Sequence, residues 1–407
     1  MHTSTWTSLL FLGLANLVPE ASARPSSCPP PLKPGKALYM ISNGARNSVI
    51  ALPINSNGLL GQGTSTPTDG WGSNFVTVTD GKKEAAGPDA LASQAALTIS
   101  GNYLFAVNPG SNTVTMFAID PKNPLRLTML GQPVPVLGDF PNTVAASAKN
   151  NIVCVGSSGA KSGIACAPFS ARGIGKMDQL RPVGLKQTTP PVGPTLTVSQ
   201  VFFSGDEETL FTTVKGDPTT NVTGTLGVFP VDQPCDTRDA ATVSTDGKLT
   251  KVDGTVVLFG SSTIQNSTDI FVTDPAFGAA VLSVDAESGA ASIKGKATIE
   301  GQKATCWVAI SPDTNTAFVT DVSSNRIVEV STTDASIKSV TDLSANGDPG
   351  LIDLRAAGSF IYALSPGNGT TLPAVTVMDA RSKKQVQHFQ IKGLGASKST
   401  QGAAVLL

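Results

Sequence analysis

Three dipeptides in this chain join a hydroxyl residue to a glutamine: Ser93-Gln94, Ser199-Gln200 and Thr400-Gln401. Side-chain amides donate and accept hydrogen bonds without carrying charge, so a cluster of them would hold a carbonyl, a hydroxyl or a carboxylate. Asn142 and Trp307 stand at corresponding points of other segments, the indole offering an apolar or sugar-stacking face. Arg355 follows a further such segment and suits an anion, while Asp348 and Asp353 lie close enough in sequence to pair with it instead. The candidate ligand-binding set is therefore Gln94, Asn142, Gln200, Trp307, Arg355 and Gln401. The competing role for the amides is structural, saturating backbone groups where strands begin.

Reactive chemistry is harder to assemble. The chain has two histidines, His2 and His388, and the second lies in an alternating run, Gln385-Val-Gln-His-Phe389, that reads as a solvent-facing outer strand. No Gly-x-Ser-x-Gly elbow, phosphate loop or His-Glu-x-x-His motif occurs. Gly156-Ser-Ser-Gly159 has no histidine near it in sequence and reads as a turn. Five cysteines (Cys28, Cys154, Cys166, Cys235 and Cys306) show no C-x-x-C spacing, so neither a zinc site nor any other metal or cofactor is expected. Cys154 and Cys166 flank one predicted hairpin and form the candidate disulfide; the odd count leaves a thiol or an intermolecular bridge. The expectation is an axial site poor in titratable groups, with weak general acid–base capacity.

Composition narrows the partners. A net charge of −1 over 407 residues, with no cluster of Lys and Arg among aromatics, excludes nucleic acid and anionic membrane as electrostatic partners. Residues 1–23 read as a secretory leader: Leu9 to Val18 is its apolar stretch and Ala21-Ser22-Ala23 its small-residue cleavage site. No later run is long enough to span a bilayer. Asn221-Val-Thr223, Asn266-Ser-Thr268 and Asn368-Gly-Thr370 are acceptor sequons, giving Asn221, Asn266 and Asn368 as candidate glycan sites. A secreted, extracellular, monomeric glycoprotein is expected, free or associated with the cell wall.

The elements that position these residues repeat. Asn102-Tyr-Leu-Phe-Ala-Val-Asn-Pro-Gly-Ser-Asn-Thr-Val-Thr-Met-Phe-Ala-Ile-Asp120 reads as strand, turn, strand, and Met40 to Asn55 aligns with Phe105 to Asp120 without a gap. A further copy runs from Ala317 to Ser331, again with Asn four residues after an Asn or Asp. With Met40, Phe105, Val153, Phe211, Phe271, Phe318 and Tyr362 as equivalent points, there are seven units averaging about 53 residues. That length suits a four-stranded blade, whereas tandem sandwiches would repeat near 100 residues. The 40 glycines and 28 prolines favour turns over long helices. The expected fold is all-β: a single seven-bladed β-propeller over residues 37–407, after a Pro-rich lead-in at 24–36. The first unit lacks a preceding strand and Gln401–Leu407 is a strand without a hairpin, so the C-terminal strand is expected to complete the first blade and close the ring. An insertion at about 61–92, with Trp71, is either a surface loop or a flap over one end of the channel.

The seven-unit layout and the Tyr103 to Asp120 segment resemble the lactonase-type seven-bladed propellers, which include 6-phosphogluconolactonase-like proteins and the fungal 3-carboxymuconate cyclase. Leu130-Gly-Gln-Pro-Val134 and Gln187-Thr-Thr-Pro-Pro-Val-Gly-Pro194 look most like the secreted fungal, carboxymuconate cyclase-like branch. The resemblance spans nearly all of 37–407 and implies His, Arg and Glu around the channel of enzymatic members. With His388 the only histidine after the leader, no catalytic residue carries over. The leading expectation is recognition of a small molecule, a glycan or an extracellular protein, as in adhesion; the alternative is a lactone hydrolase or carboxymuconate cyclase-like enzyme, and a structural matrix component ranks third.

Overall fold

The computed structural model describes residues 1–3, 32–234, 239–285 and 287–407. The chain divides into two compact units, Met1–Pro31 and Leu32–Leu407. Only the first three residues of the former are described, so the leader, Cys28 and most of the lead-in lie outside the described residues, as does Cys235. The second unit is a seven-bladed β-propeller. Among the described residues its one helical element is the 3-10 turn Ser344–Asn346.

Each blade begins with an innermost strand and meanders outward through antiparallel pairs. From blade 2 to blade 7 the innermost strands are Leu97–Ser100, Pro141–Ser147, Val198–Phe203, Ser261–Thr263, Thr305–Ile310 and Leu354–Ala357. Blade 1 receives its innermost strand from the C-terminus: Gln401–Leu406 pairs antiparallel with Ala37–Ile41. Neighbouring innermost strands touch all the way round, including Gln401–Leu406 against both Leu354–Ala357 and Leu97–Ser100, so the ring is closed.

Burial explains the sequence texture. Ala37–Ile41 and Ile152–Ser157 are buried along their whole length, because second strands are covered on both faces by adjacent blades. Such strands read as continuous runs of Val, Ile, Phe and Ala instead of alternating ones. Outer strands meet solvent on one face, and Ala291–Thr298 alternates strictly between half-buried and exposed. The aromatic repeat points lie on the second strands; Phe105 meets Phe169 of the next blade edge-on at 4.9 Å, a geometry in which ring edges face ring faces.

The recurrent asparagines are staples between turns and blades. Asn47 Oδ1 accepts from the Asn43 and Ser48 amides, while its Nδ2 donates to Val107 O and Asn108 Oδ1 of blade 2. Asn112 accepts from the Phe140 amide, the start of blade 3, and Asn325 Nδ2 donates to Leu343 O. Buried backbone groups at blade junctions have no ladder partner, and these carboxamides supply one.

Two local expectations are corrected. Thr64–Pro67, assigned to the insertion, pairs with Ser48–Ala51 as the outer strand of blade 1. An exposed outer strand needs few apolar residues, which is why its Ser and Thr read as loop. The added segment is thus 68–96, and it contains the hairpin Val76–Thr79 with Lys82–Ala85. His388 is not solvent-facing: on the outer strand of blade 7 its Nε2 lies 2.9 Å from the buried Asp348 carboxylate. Burial pushes the Asp348 carboxyl up, and His388 opposes that shift.

Cys154 and Cys166 are directly opposite on adjacent strands of blade 3 and are disulfide-bonded, with Cα atoms 4.0 Å apart. Cys306 is a free, buried thiol.

Candidate functional site

The innermost strands all start at one end of the channel, termed upper here, and finish at the lower end. Of the sequence-predicted residues, Gln94, Asn142, Gln200 and Trp307 lie between these ends and form a plug. Gln94 reaches across the axis from blade 2: its Nε2 donates to Ser261 O of blade 5 (3.1 Å) and Val308 O of blade 6 (3.3 Å), and its Oε1 accepts from the Val308 amide. Gln200 brackets Ser261 from the other side, accepting from its amide at 2.6 Å and donating to its carbonyl at 3.1 Å. Asn142 Nδ2 donates to Val198 O and Leu91 O, and its Oδ1 accepts from Ser158 Oγ. The serines before the glutamines stitch neighbours: Ser93 Oγ donates to Asn142 O and Ser199 Oγ to Leu258 O. The plug needs a glycine, because a Cβ on Gly260 would stand 2.4 Å from Gln94 Oε1 and 2.5 Å from Cys306 O.

Trp307 belongs to the same layer. Its indole is fully buried, donates through Nε1 to Ser93 O at 3.0 Å and packs edge-on to Phe259 at 5.0 Å. It therefore presents no free face for stacking, a correction to the platform expected from sequence. Gln401 is buried, and its Nε2 has no hydrogen-bond partner among the described residues.

Below the plug is an open well of about 260 Å³ that Arg355, Ser261 and Phe203 help to line. Arg355 Nη1 donates to Asp353 Oδ1 and Leu354 O, both at 2.7 Å. Asp353 is a fully buried hub: it also accepts from the amides of Leu354, Ala95 and Ala403, tying blade 7 to blades 2 and 1. Burial pushes its carboxyl up, with Arg355 and the three amides opposing. Of the two carboxylates considered as partners of Arg355, Asp353 takes that role and Asp348 pairs with His388.

Above the plug is a cavity of about 320 Å³ with mostly apolar walls, including Phe75, Pro88, Val257 and Phe259. Two loops roof it. The 68–96 segment docks on the loop before blade 4, where the Val76 amide donates to Pro191 O and the Gly193 amide to Val76 O. The insertion thus covers one end of the channel through Phe75, Pro88 and Asp89. Trp71 is not among the lining residues; it is 62% exposed, with its amide on Ser111 Oγ of blade 2.

Three functional groups line this upper cavity: Asp89, Lys215 and Cys306. Lys215 is buried, donates to Ala92 O and holds its Nζ 4.7 Å above the Phe259 ring. Burial pulls its ammonium well below the usual lysine range, with Asp89 and Cys306 opposing that shift. Asp89 Oδ1 accepts from the Ala92 amide at 2.8 Å. Burial raises its carboxyl, against the Ala92 amide and Lys215. Burial also pushes the Cys306 thiol up. Asp274 and Asp321, nearby, are occupied by backbone amides of the loops ahead of Gly260 and Thr305. The axis is therefore not poor in titratable groups.

Sequence reasoning missed all three. For Lys215 a signal existed: four residues past the seven repeat points stand Gly44, Pro109, Ser157, Lys215, Pro275, Val322 and Pro366, so one blade carries a charge where six do not. Asp89 lies in the insertion, where the repeat gives no register. Among the described residues no group of three His, Cys, Asp or Glu is placed to hold a metal.

No family model matches the chain, and no curated protein matches it. Solved structures share its fold. A periplasmic gluconolactonase of Pseudomonas aeruginosa is 14% identical with a TM-score of 0.60, covering 91% of this chain and 99% of that one. A provisionally assigned 6-phosphogluconolactonase of Bacteroides uniformis is 13% identical with a TM-score of 0.58, covering 90% and 99%. One from Bacteroides fragilis is 12% identical with a TM-score of 0.56, covering 91% and 98%.

Proposed function

We propose that this protein is a secreted, N-glycosylated, monomeric propeller that recognises a small, mostly apolar molecule bearing a carbonyl head in the upper cavity. The observation that carries this reading is the roofed cavity of about 320 Å³ with Lys215 and Asp89 on otherwise apolar walls. Ligand sites are typically concave, apolar and provided with a few converging polar groups, at volumes of roughly 300–1,000 Å³. That size suits a small molecule better than a glycan chain or a protein surface. Lys215 offers a hydrogen-bond donor to the head and Phe259 a flat apolar wall.

The exposed sequons Asn221, Asn266 and Asn368 and the Cys154–Cys166 disulfide support an extracellular setting. Lysines on the outer strands, among them Lys248, Lys251, Lys294 and Lys296, discourage edge pairing and support a monomer.

The second reading is a lactone hydrolase or carboxymuconate cyclase-like enzyme, the lactonase-type branch that the sequence resembles. Two observations favour it: the fold shared with proteins described as gluconolactonases, and an amine and a carboxyl held in one mostly apolar cavity. A lysine whose charged form is disfavoured can act as a base near neutral pH.

One experiment separates the readings. The glycosylated protein purified from culture medium, and its Lys215→Met variant, are screened by thermal shift against lactones, aromatic ketones and the corresponding ring-opened acids, with product assayed in parallel. Recognition predicts stabilisation by carbonyl compounds, weakened in the variant, without product. Turnover that disappears in the variant establishes the enzyme instead. The absence of any shift or product rejects both uses of the cavity.

A further inference from the structure

The geometry points to Lys215 as a covalent capture amine that condenses with an aldehyde or ketone in the upper cavity; this rests on the proposed use of that cavity for carbonyl ligands.

The seven-fold repeat provides an internal control. At the positions equivalent to Lys215 the other blades carry Gly44, Pro109, Ser157, Pro275, Val322 and Pro366. The turn after the second strand therefore folds with no side-chain charge, and often with no side-chain donor. An amine buried at that one place is not demanded by the architecture. Burying it is unfavourable unless the group is fully paired, yet among the described residues Lys215 has a single hydrogen bond, to Ala92 O, and the face of Phe259. The structural lysines elsewhere differ: Lys383 is tied to Glu329 and Ala380 O, and Lys294 to Asp269.

The surroundings suit condensation. Apolar walls favour the neutral amine, whose lone pair is the nucleophile. The same walls admit an uncharged carbonyl compound without the desolvation a carboxylate would suffer. The titratable groups facing the amine are Asp89, from the insertion, and Cys306, from blade 6; Asp353 acts in turn on Asp89. Asp89 provides the proton exchange. As the amine nitrogen bonds to the carbonyl carbon and the carbonyl electron pair moves to oxygen, the Asp89 carboxylate takes a proton from the nitrogen. Asp89 passes that proton to the oxygen, giving the carbinolamine. Asp89 then carries the remaining nitrogen proton to the carbinolamine hydroxyl, which leaves as water as the nitrogen electron pair forms the C=N bond. The net change is amine plus carbonyl giving imine plus water, with Asp89 restored.

The test uses the intact secreted protein with benzaldehyde and cyanoborohydride near neutral pH, followed by peptide mapping. The expected result is one dominant adduct, the mass of benzaldehyde less its oxygen, on Lys215 and absent from Lys215→Met. Its formation should rise with pH and level off well before the surface lysines begin to react. Labelling spread over surface lysines with Lys215 unmodified overturns the inference. If benzaldehyde still shifts the melting temperature in that case, only covalent capture fails; if it does not, the cavity reading fails with it. An Asp89→Asn variant provides a second readout: slower labelling at Lys215 with benzaldehyde binding retained supports proton exchange by Asp89, and unchanged labelling removes Asp89 from the step.

Discussion

The two ends of the channel are built on the same seven strands yet differ in almost every physical respect. The upper cavity is roofed by two loops and holds Lys215, Asp89 and Cys306 among apolar walls. The lower well is open, and its one charged lining residue, Arg355, is matched by Asp353. Asp353 has a structural task, since it accepts amides from three blades where the ring closes. Lys215 has no comparable set of partners. The comparison teaches where to look on a repeat protein: the repeat builds a hub whose polar groups are paired, and reactive groups appear where one copy departs from it or where an insertion reaches over it.

The largest expected effect removes both ends together. Deleting residues 401–407 withdraws the inner strand of blade 1 and the Ala403 amide from Asp353, and should lower the melting midpoint by more than about 10 °C or abolish soluble expression. An unchanged midpoint in calorimetry would contradict ring closure by this strand. Next is the plug that separates the ends. Gln94→Ala leaves the Val308 amide and carbonyl without their side-chain partner and Ser261 O with Gln200 alone, and should cost about 2–4 kcal/mol in chemical denaturation. A loss within about 0.5 kcal/mol would mean the amide is dispensable and the channel open.

A pH series isolates the upper end. Burial lowers the folded-state pKa of Lys215 from 10.5 to about 7, so its unfavourable contribution is complete below about 7 and fades as pH climbs toward the unfolded value. Asp89, raised to about 6, shifts in the opposite sense: its contribution is complete above that value and fades toward acid, so it stays charged across the upper window. Lys215→Met should therefore melt above the wild type near pH 7, with the gap shrinking by on the order of 2 °C by about pH 10. A gap independent of pH would show that the amine is not desolvated. The smallest effect on the upper cavity is expected from the lower end. Arg355→Gln should cost about 1–2 kcal/mol, because it removes the charge partner of the buried Asp353 carboxylate, which still keeps three amides. Ligand shifts at the upper cavity should be unaltered; a variant that loses them would join the two ends into one site.

Much of the hub was legible from residues alone, though with a different meaning. Gln94, Gln200 and Asn142 read in the sequence as candidate ligand groups at strand entries; in the structure their amides are taken up by backbone groups of other segments, and Asn142 also by Ser158. Trp307 looked like a platform because strand register places it at the axis, but register does not reveal that Phe259 and Ser93 enclose it. Arg355 and two carboxylates near it are legible in the sequence, but which of them pairs with it is decided by the fold, which brings His388 to Asp348 and leaves Asp353 beside Arg355. The Lys215 anomaly was present in the alignment of repeats but sits one position beyond the aligned Asn/Asp, in a turn where variation is ordinary. Asp89 had no such marker.

What residue order determined by itself is the local, periodic part: seven antiparallel units, a closing C-terminal strand, and a disulfide across one hairpin. Hydrophobic spacing and turn residues act over a few positions, so they repeat visibly each time a blade is made. What meets on the axis was decided only by the closed ring. Gln94 bonds to Val308, and Lys215 to Ala92, across separations of 214 and 123 residues. Curvature that accumulates over seven blades brings those groups together, and burial at that meeting point then resets their proton affinities.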